Sequence, residues 1–208
     1  HDYLGLPYER FLEIARDQAE QVMESGRFEI YSTGDPESDY GALFSSDNLV
    51  GNPEVILLNR SIDGERNSGY WTAHFGNYET SPTKALLQTY LMRDGSPYTS
   101  RPGWEAHSFV EEFEERDPRL SQTFAYPGWV TRHTDTYIQG TRGEPYIQEL
   151  NGFFTGYHML KWFINTPEAM HRNSIDTPVL RYAEVLLIYA EARAELGELT
   201  QADLERSI

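Results

Sequence analysis

The sequence predicts a mainly α-helical protein with long irregular connections, on three observations. Apolar residues recur at three- and four-residue steps near both ends of the chain and in its middle. Strand signals are few and short, the clearest being Asn52-Pro53-Glu54-Val55-Ile56-Leu57-Leu58, which reads as a buried strand or extended segment. The stretches between are rich in Ser, Asp, Asn, Gly and Pro and are longer than simple turns.

The first helix is expected from Pro7 to Ser25. Tyr8, Phe11, Leu12, Ala15, Ala19, Val22 and Met23 share a face, and Gly26 ends it. Arg27-Phe28-Glu29-Ile30-Tyr31 alternates briefly, and residues 32–48 read as loop. Residues 59–81 form a long polar loop interrupted by Tyr70, Trp71, Phe75 and Tyr78. A helix follows from Ser81-Pro82-Thr83, carrying Leu86, Leu87, Tyr90 and Leu91 and closed by Asp94-Gly95. Another is expected from Glu105 to Arg116, with Phe109, Val110 and Phe113 inward and Glu111, Glu112, Glu114 and Glu115 forming a solvated face. From Trp129 to Thr155 there is no periodicity, and the segment reads as irregular with a short strand pair. Trp104, Trp129 and Trp162 are expected in the core.

The C-terminal stretch carries the clearest pattern. Thr177 is a plausible N-cap, and Pro178 suits a first helical residue. Val179, Tyr182, Ala183, Leu186, Leu187, Ala190 and Ala194 then form one apolar face, on which Leu186 is expected to be fully buried. Gly197 supplies a left-handed helix stop. A second helix opens at Thr200, with Asp203 completing an imperfect capping box. So short a helix is marginal in water alone, so residues 200–208 are expected to be poorly ordered or packed on a neighbouring chain. Arg181 lies near the buried face and is expected to pair with an acid there rather than to clamp a ligand.

Charge excludes several classes. Net charge is −16, which is unsuited to neutralising nucleic-acid phosphates or anionic lipid. There is no cysteine, hence no disulfide framework and no Cys-based metal site or nucleophile. The His residues form no zinc motif, and no nucleophile elbow, phosphate loop or dinucleotide fingerprint occurs. No catalytic residue, metal or cofactor is therefore assigned. No run of about 18 apolar residues is present from which to build a spanning helix.

The run from Pro178 to Ala192, PVLRYAEVLLIYAEA, resembles the C-terminal signature of SusD/RagB proteins. Asp117-Pro118-Arg119-Leu120 resembles a second family turn, and Thr155-Gly156-Tyr157 with Lys161 a third segment, all in family order. The resemblance implies a SusD-like fold with tetratricopeptide-like helix pairs and long loops. It implies a non-catalytic protein that binds oligosaccharide or polysaccharide for a TonB-dependent, SusC-like transporter. It also implies a lipid anchor on the outer face of the outer membrane, an anchor this stretch does not include. The chain starts at His1 and stops at Ile208 inside the hairpin, so residues 1–208 are expected to be the C-terminal part of one such domain, incomplete at both ends. Two rivals stand beside this: a helical glycoside hydrolase or lyase fragment, and a helical-repeat adaptor for proteins.

A sugar ring presents an apolar C–H face with polar rims, so its natural receptor is an aromatic platform flanked by planar polar groups. The 59–81 loop offers both. Tyr70, Trp71 and Tyr78 supply rings, and Arg66, Asn67 and Asn77 supply donors and acceptors. Trp71 serves either as that platform or as a pin holding the loop to the core.

Overall fold

The computed structural model describes residues 5–62, 64–66, 81–132, 143–148, 154–166 and 174–208. Two units divide the chain. The first takes residues 1–31, 50–58 and 178–208, and the second takes residues 32–49 and 59–177.

In the first unit, α1 spans Tyr8–Glu24 and ends at Gly26, whose φ of 62° is costly for a residue with a Cβ. Strands β1 (Val55–Asn59) and β2 (Thr177–Arg181) form a two-stranded sheet. Helix α5 (Tyr182–Glu195) follows β2 directly, and α6 (Gln201–Ser207) completes the hairpin. The core is Ala19 from α1 against Val185 and Tyr189 from α5, with Val22, Met23, Ile56, Tyr182 and Ile188 packed around them.

The expected helix start at Thr177 and Pro178 is corrected. Those residues are extended, and Arg181 precedes the helix at φ −122°, ψ 154°. Pro178 lacks an N–H and is tolerated on a strand that has only one neighbour. The buried face is corrected too. Val185, Tyr189, Ala190 and Ala192 are buried, Leu186 is only half-buried, and Leu187 and Val179 are 57% and 56% exposed. Apolar residues occupy almost the whole circumference of α5, so periodicity alone does not choose a side. Arg181 does pair with an acid: it reaches Glu54, whose other carboxylate oxygen accepts from the Tyr31 N–H at 2.9 Å.

Gln201–Ser207 fold as a helix held by partners within this unit, in place of the poor order expected, while Ile208 stays 79% exposed. Thr200 Oγ1 and Asp203 complete the capping box, and Asp203 Oδ1 accepts from the buried Tyr189 hydroxyl at 2.8 Å. Arg193 and Arg206 add ion pairs to Asp203 and Glu20, both at 3.0 Å. Side-chain partners supply what a seven-residue helix lacks on its own.

In the second unit, the stretch 32–48 is not all loop. It contains α2 (Asp39–Ala42), whose Asp39 carboxylate accepts from the Thr33 N–H, the Thr33 hydroxyl and the Ser32 hydroxyl. Helix α3 (Lys84–Thr89) is capped by Thr83 and stops earlier than expected. Residues 91–97 then fold back as a turn with Gly95 at φ 83°. The expected helix from Glu105 to Arg116 is instead two 3₁₀ turns, Trp104–Ala106 and Glu111–Phe113. The Ser108 N–H and hydroxyl both donate to Glu111, and Glu115 sits at φ 54°, so the run cannot continue as α-helix. Helix α4 (Arg119–Thr123) follows. Leu87, Leu120, Phe124 and Tyr157 form the core, with Tyr90, Phe109 and Phe113 against it.

Glu112 also departs from the expected solvated face. It is 1% exposed, accepts from the Tyr157 hydroxyl at 2.6 Å, and pairs with Lys84. Burial and the Glu112 contact together raise the Tyr157 pKa. Beside it, Arg116 is buried and donates to the carbonyls of Glu112, Leu87 and Tyr90 at 2.6–2.8 Å, with its guanidinium 4.0 Å from the Tyr98 ring centre.

Four expectations follow for stability. Leu87→Ala should cost about 2–5 kcal/mol, because Leu87 is fully buried. Leu187→Ala should stay within about 0.5 kcal/mol, as for other exposed sites. Denaturant melts of both variants test this, and equal losses would show that the α5 face is misassigned. Glu112→Ala should cost about 1–3 kcal/mol for the stranded Tyr157 hydroxyl, plus a cavity term; a neutral result in the same melts would mean Glu112 is solvated. Asp203 titrates near 2 rather than 3.8, held down first by its Thr200 hydrogen bond and then by Tyr189. Its stabilisation is therefore complete above about pH 4 and lost as pH falls towards 2. The gap in unfolding midpoint between wild type and Asp203→Asn should close over that window; a gap that stays constant down to pH 2 would refute the assignment.

Candidate functional site

The second unit holds a cleft of about 560 Å³ whose walls include Phe113, Tyr126, Trp129, Glu37, Glu114 and Ser121. Tyr126-Pro127-Gly128-Trp129 is a turn closed by the Trp129 N–H donating to the Tyr126 carbonyl at 3.0 Å, with Gly128 at φ 81°. Residues 129–132 are then clamped from two sides. The Tyr146 N–H donates to the Trp129 carbonyl, and Asn165 both donates to the Val130 carbonyl at 2.8 Å and accepts from the Arg132 N–H at 2.6 Å. The Trp129 ring sits edge-on to Phe163 at 5.8 Å and to Tyr146 at 6.4 Å. It is thus a half-buried ring in a fixed pose, bordering the cleft.

Other walls come from the 3₁₀ turn at Glu111–Phe113 and from α4. Glu114 is exposed, and Glu37 is ion-paired to Arg93 at 2.6 Å. Trp129 and Leu160 also border a second hollow of about 380 Å³, lined by Ser38, Ser45, Gln122 and Asn165. The Gln122 amide is locked there: its oxygen accepts from the Gly41 N–H, and its nitrogen donates to the Pro36 and Pro118 carbonyls. His158 is buried against Tyr146, whose N–H donates to the Trp129 carbonyl, and burial pulls the His158 pKa to about 3, which keeps it neutral. The cleft can therefore offer apolar ring faces, a hydroxyl and carboxylate acceptors in one place.

This site differs from the one read in the sequence. Trp71, Tyr70, Tyr78, Asn67 and Asn77 lie outside the described residues. Arg66 is described; it is exposed, and its guanidinium donates to the Asn59 side chain at 2.6 Å. Trp129, expected in the core along with Trp104 and Trp162, is half-buried, as are the other two. A signal for the cleft was present in Tyr126-Pro127-Gly128-Trp129, where two aromatics flank a Pro-Gly turn. Such a turn brings rings to a surface rather than into a core.

Comparison with known proteins places this geometry in a family. Among curated proteins none matches the chain. Of solved structures, a SusD-like carbohydrate binding protein from Bacteroides fragilis is 24% identical at a TM-score of 0.70, with 94% of this chain and 39% of that chain covered. A SusD-like protein from the same species is 21% identical at 0.66, with 95% and 42% covered. Surface glycan-binding protein A from Bacteroides fluxus is 18% identical at 0.51, with 95% and 40% covered. The chain therefore spans about two fifths of the length of these structures. Their likeness establishes a SusD-like fold, and the described elements agree, being helix-rich with one two-stranded sheet. The model of the SusD family matches residues 50–206, three quarters of the sequence, and the chain belongs to the SusD family.

Proposed function

We propose that this chain is part of a non-catalytic protein that captures oligosaccharide or polysaccharide at the outer face of the outer membrane. In this reading a lipid anchor holds the whole protein there, and a TonB-dependent, SusC-like transporter receives the glycan. The observation that carries the reading is the Trp129 cleft in a chain of this family. A rigid ring face beside hydroxyl and carboxylate groups matches the amphipathic surface of a sugar, and the cleft volume lies within the range of small-ligand pockets. The names of two solved relatives, a carbohydrate binding protein and a surface glycan-binding protein, support it. The 59–81 loop contributes a further platform in this proposal, with Tyr70, Trp71 and Tyr78 stacking and Arg66, Asn67 and Asn77 hydrogen-bonding.

Stacking rather than charge should then set affinity. Calorimetry on the intact protein with a panel of neutral oligosaccharides should show binding that barely changes up to about 0.15 M salt. Trp129→Ala and Trp71→Ala should each weaken it by about 2 kcal/mol or more, near thirtyfold in Kd. If either variant binds as well as wild type, that residue is not a platform. If no glycan binds while a peptide does, the capture reading falls. If reducing ends accumulate during incubation, the protein is an enzyme.

A further inference from the structure

Within the capture reading, on which this inference rests, the charges at the cleft bear on which glycans it accepts. Its described lining includes the carboxylates of Glu37 and Glu114 and no Lys, Arg or His. Glu114 is exposed, and among the described residues no ion pair holds its carboxylate. Arg101 lies close by, but it lines none of the hollows and its guanidinium donates to the main-chain carbonyls of Glu111 and Glu114, at 3.3 and 3.5 Å. Three further cations are held by acids or carbonyls. Arg93 borders an adjoining polar hollow that shares Glu37, Phe113 and Ser121 with the cleft, but its guanidinium is held by Glu37 at 2.6 Å. Arg116 borders the same hollow, yet it is 4% exposed and its donors go to the carbonyls of Glu112, Leu87, Tyr90 and Leu91. Arg119 is held by both oxygens of Asp117. The second hollow that Trp129 and Leu160 border carries amides and hydroxyls and, among the described residues, no charge.

We infer that the Trp129 cleft selects uncharged glycans and rejects uronate- or sulfate-bearing ones, with Glu114 as the principal discriminating residue. A hydroxyl on a neutral sugar can donate to a carboxylate, so Glu114 and Glu37 are useful acceptors for it. A carboxylate or sulfate on the sugar can donate nothing. It meets the unpaired charge of Glu114, with Glu37 already paired to Arg93, and finds no cation among the described lining residues to compensate, and like-charge juxtaposition is costly in a binding site. Exclusion of anions in this way needs no additional contact, only the absence of a free guanidinium or ammonium where one would be needed. The overall charge of −16 adds a long-range repulsion of the same sign, which salt screens more readily than the local one.

The test uses a matched pair of ligands: an oligosaccharide containing hexuronate, and the same oligosaccharide after its carboxyl groups are reduced to alcohols. Calorimetry on the intact protein at about 0.15 M salt should give the reduced form an affinity higher by roughly tenfold or more. Glu114→Gln should narrow that ratio several-fold. Glu105→Gln removes the same charge from an exposed residue that lines none of the hollows, and should leave the ratio unchanged. Equal affinities for the two ligands in wild type would overturn the inference and leave the capture reading standing. A ratio that Glu105→Gln shifts as much as Glu114→Gln would place the effect in net charge rather than in the cleft, and would also overturn it. Failure of both ligands and of the neutral panel would remove the capture reading, and this inference with it.

Discussion

A single buried guanidinium organises the unit that carries the cleft. Arg116 is 4% exposed, and its donors reach the carbonyls of Leu87 and Tyr90, at the end of α3, and of Glu112. The last carbonyls of a helix have no partner within it, and a cation placed there satisfies both their hydrogen bonding and their partial charge. The same group lies over the Tyr98 ring and is flanked by Glu112, which pairs with Lys84 and accepts from Tyr157. Buried charges are tolerated only with this degree of compensation, and loss of one partner strands the others. Because Phe113 and Glu114 lie between Glu112 and Arg116 in the chain, the network that holds the core also sets two residues of the cleft wall.

Rigidity at the cleft follows from similar accounting of backbone groups. The turn that presents Tyr126 and Trp129 has few partners within itself. It borrows them from Tyr146, from Asn165, and from the pairing of the Ala125 N–H with the His158 carbonyl. Two aromatic edges then hold the Trp129 indole. A ring already held in place loses little conformational freedom when a ligand stacks on it, so more of the stacking energy remains as affinity.

The first unit shows polar contacts choosing among apolar alternatives. Helix α5 has apolar residues on nearly every side, and burial of any face satisfies the hydrophobic effect about equally. Tyr189 breaks the tie. Its ring packs with Ala19 and Val185, and its hydroxyl needs a partner, which Asp203 supplies from α6. That bond fixes which side of α5 faces inward and, with the Thr200 cap and the Arg193 and Arg206 ion pairs, holds α6 in the hairpin.

Local signals in the sequence determined the helix-rich character, the extent of α1, the strand near Val55, the glycine stop at Gly197, the Thr200–Asp203 cap and the pairing of Arg181 with an acid. Each depends on a few neighbouring residues, or on the rule that a buried charge needs a partner, and the family resemblance rested on similarly contiguous runs. Tertiary structure alone decided the buried face of α5, the extended state of Thr177 to Arg181, the burial of Glu112 and the fixed pose of Trp129. None of these is a local property. The face of α5 turns on Tyr189 finding Asp203, 14 residues away. Glu112 turns on Tyr157, 45 residues away. The pose of Trp129 turns on Asn165, which clamps its neighbours from more than 30 residues along the chain. A sequence pattern records which residues want burial or a partner, whereas only the folded chain brings that partner within reach.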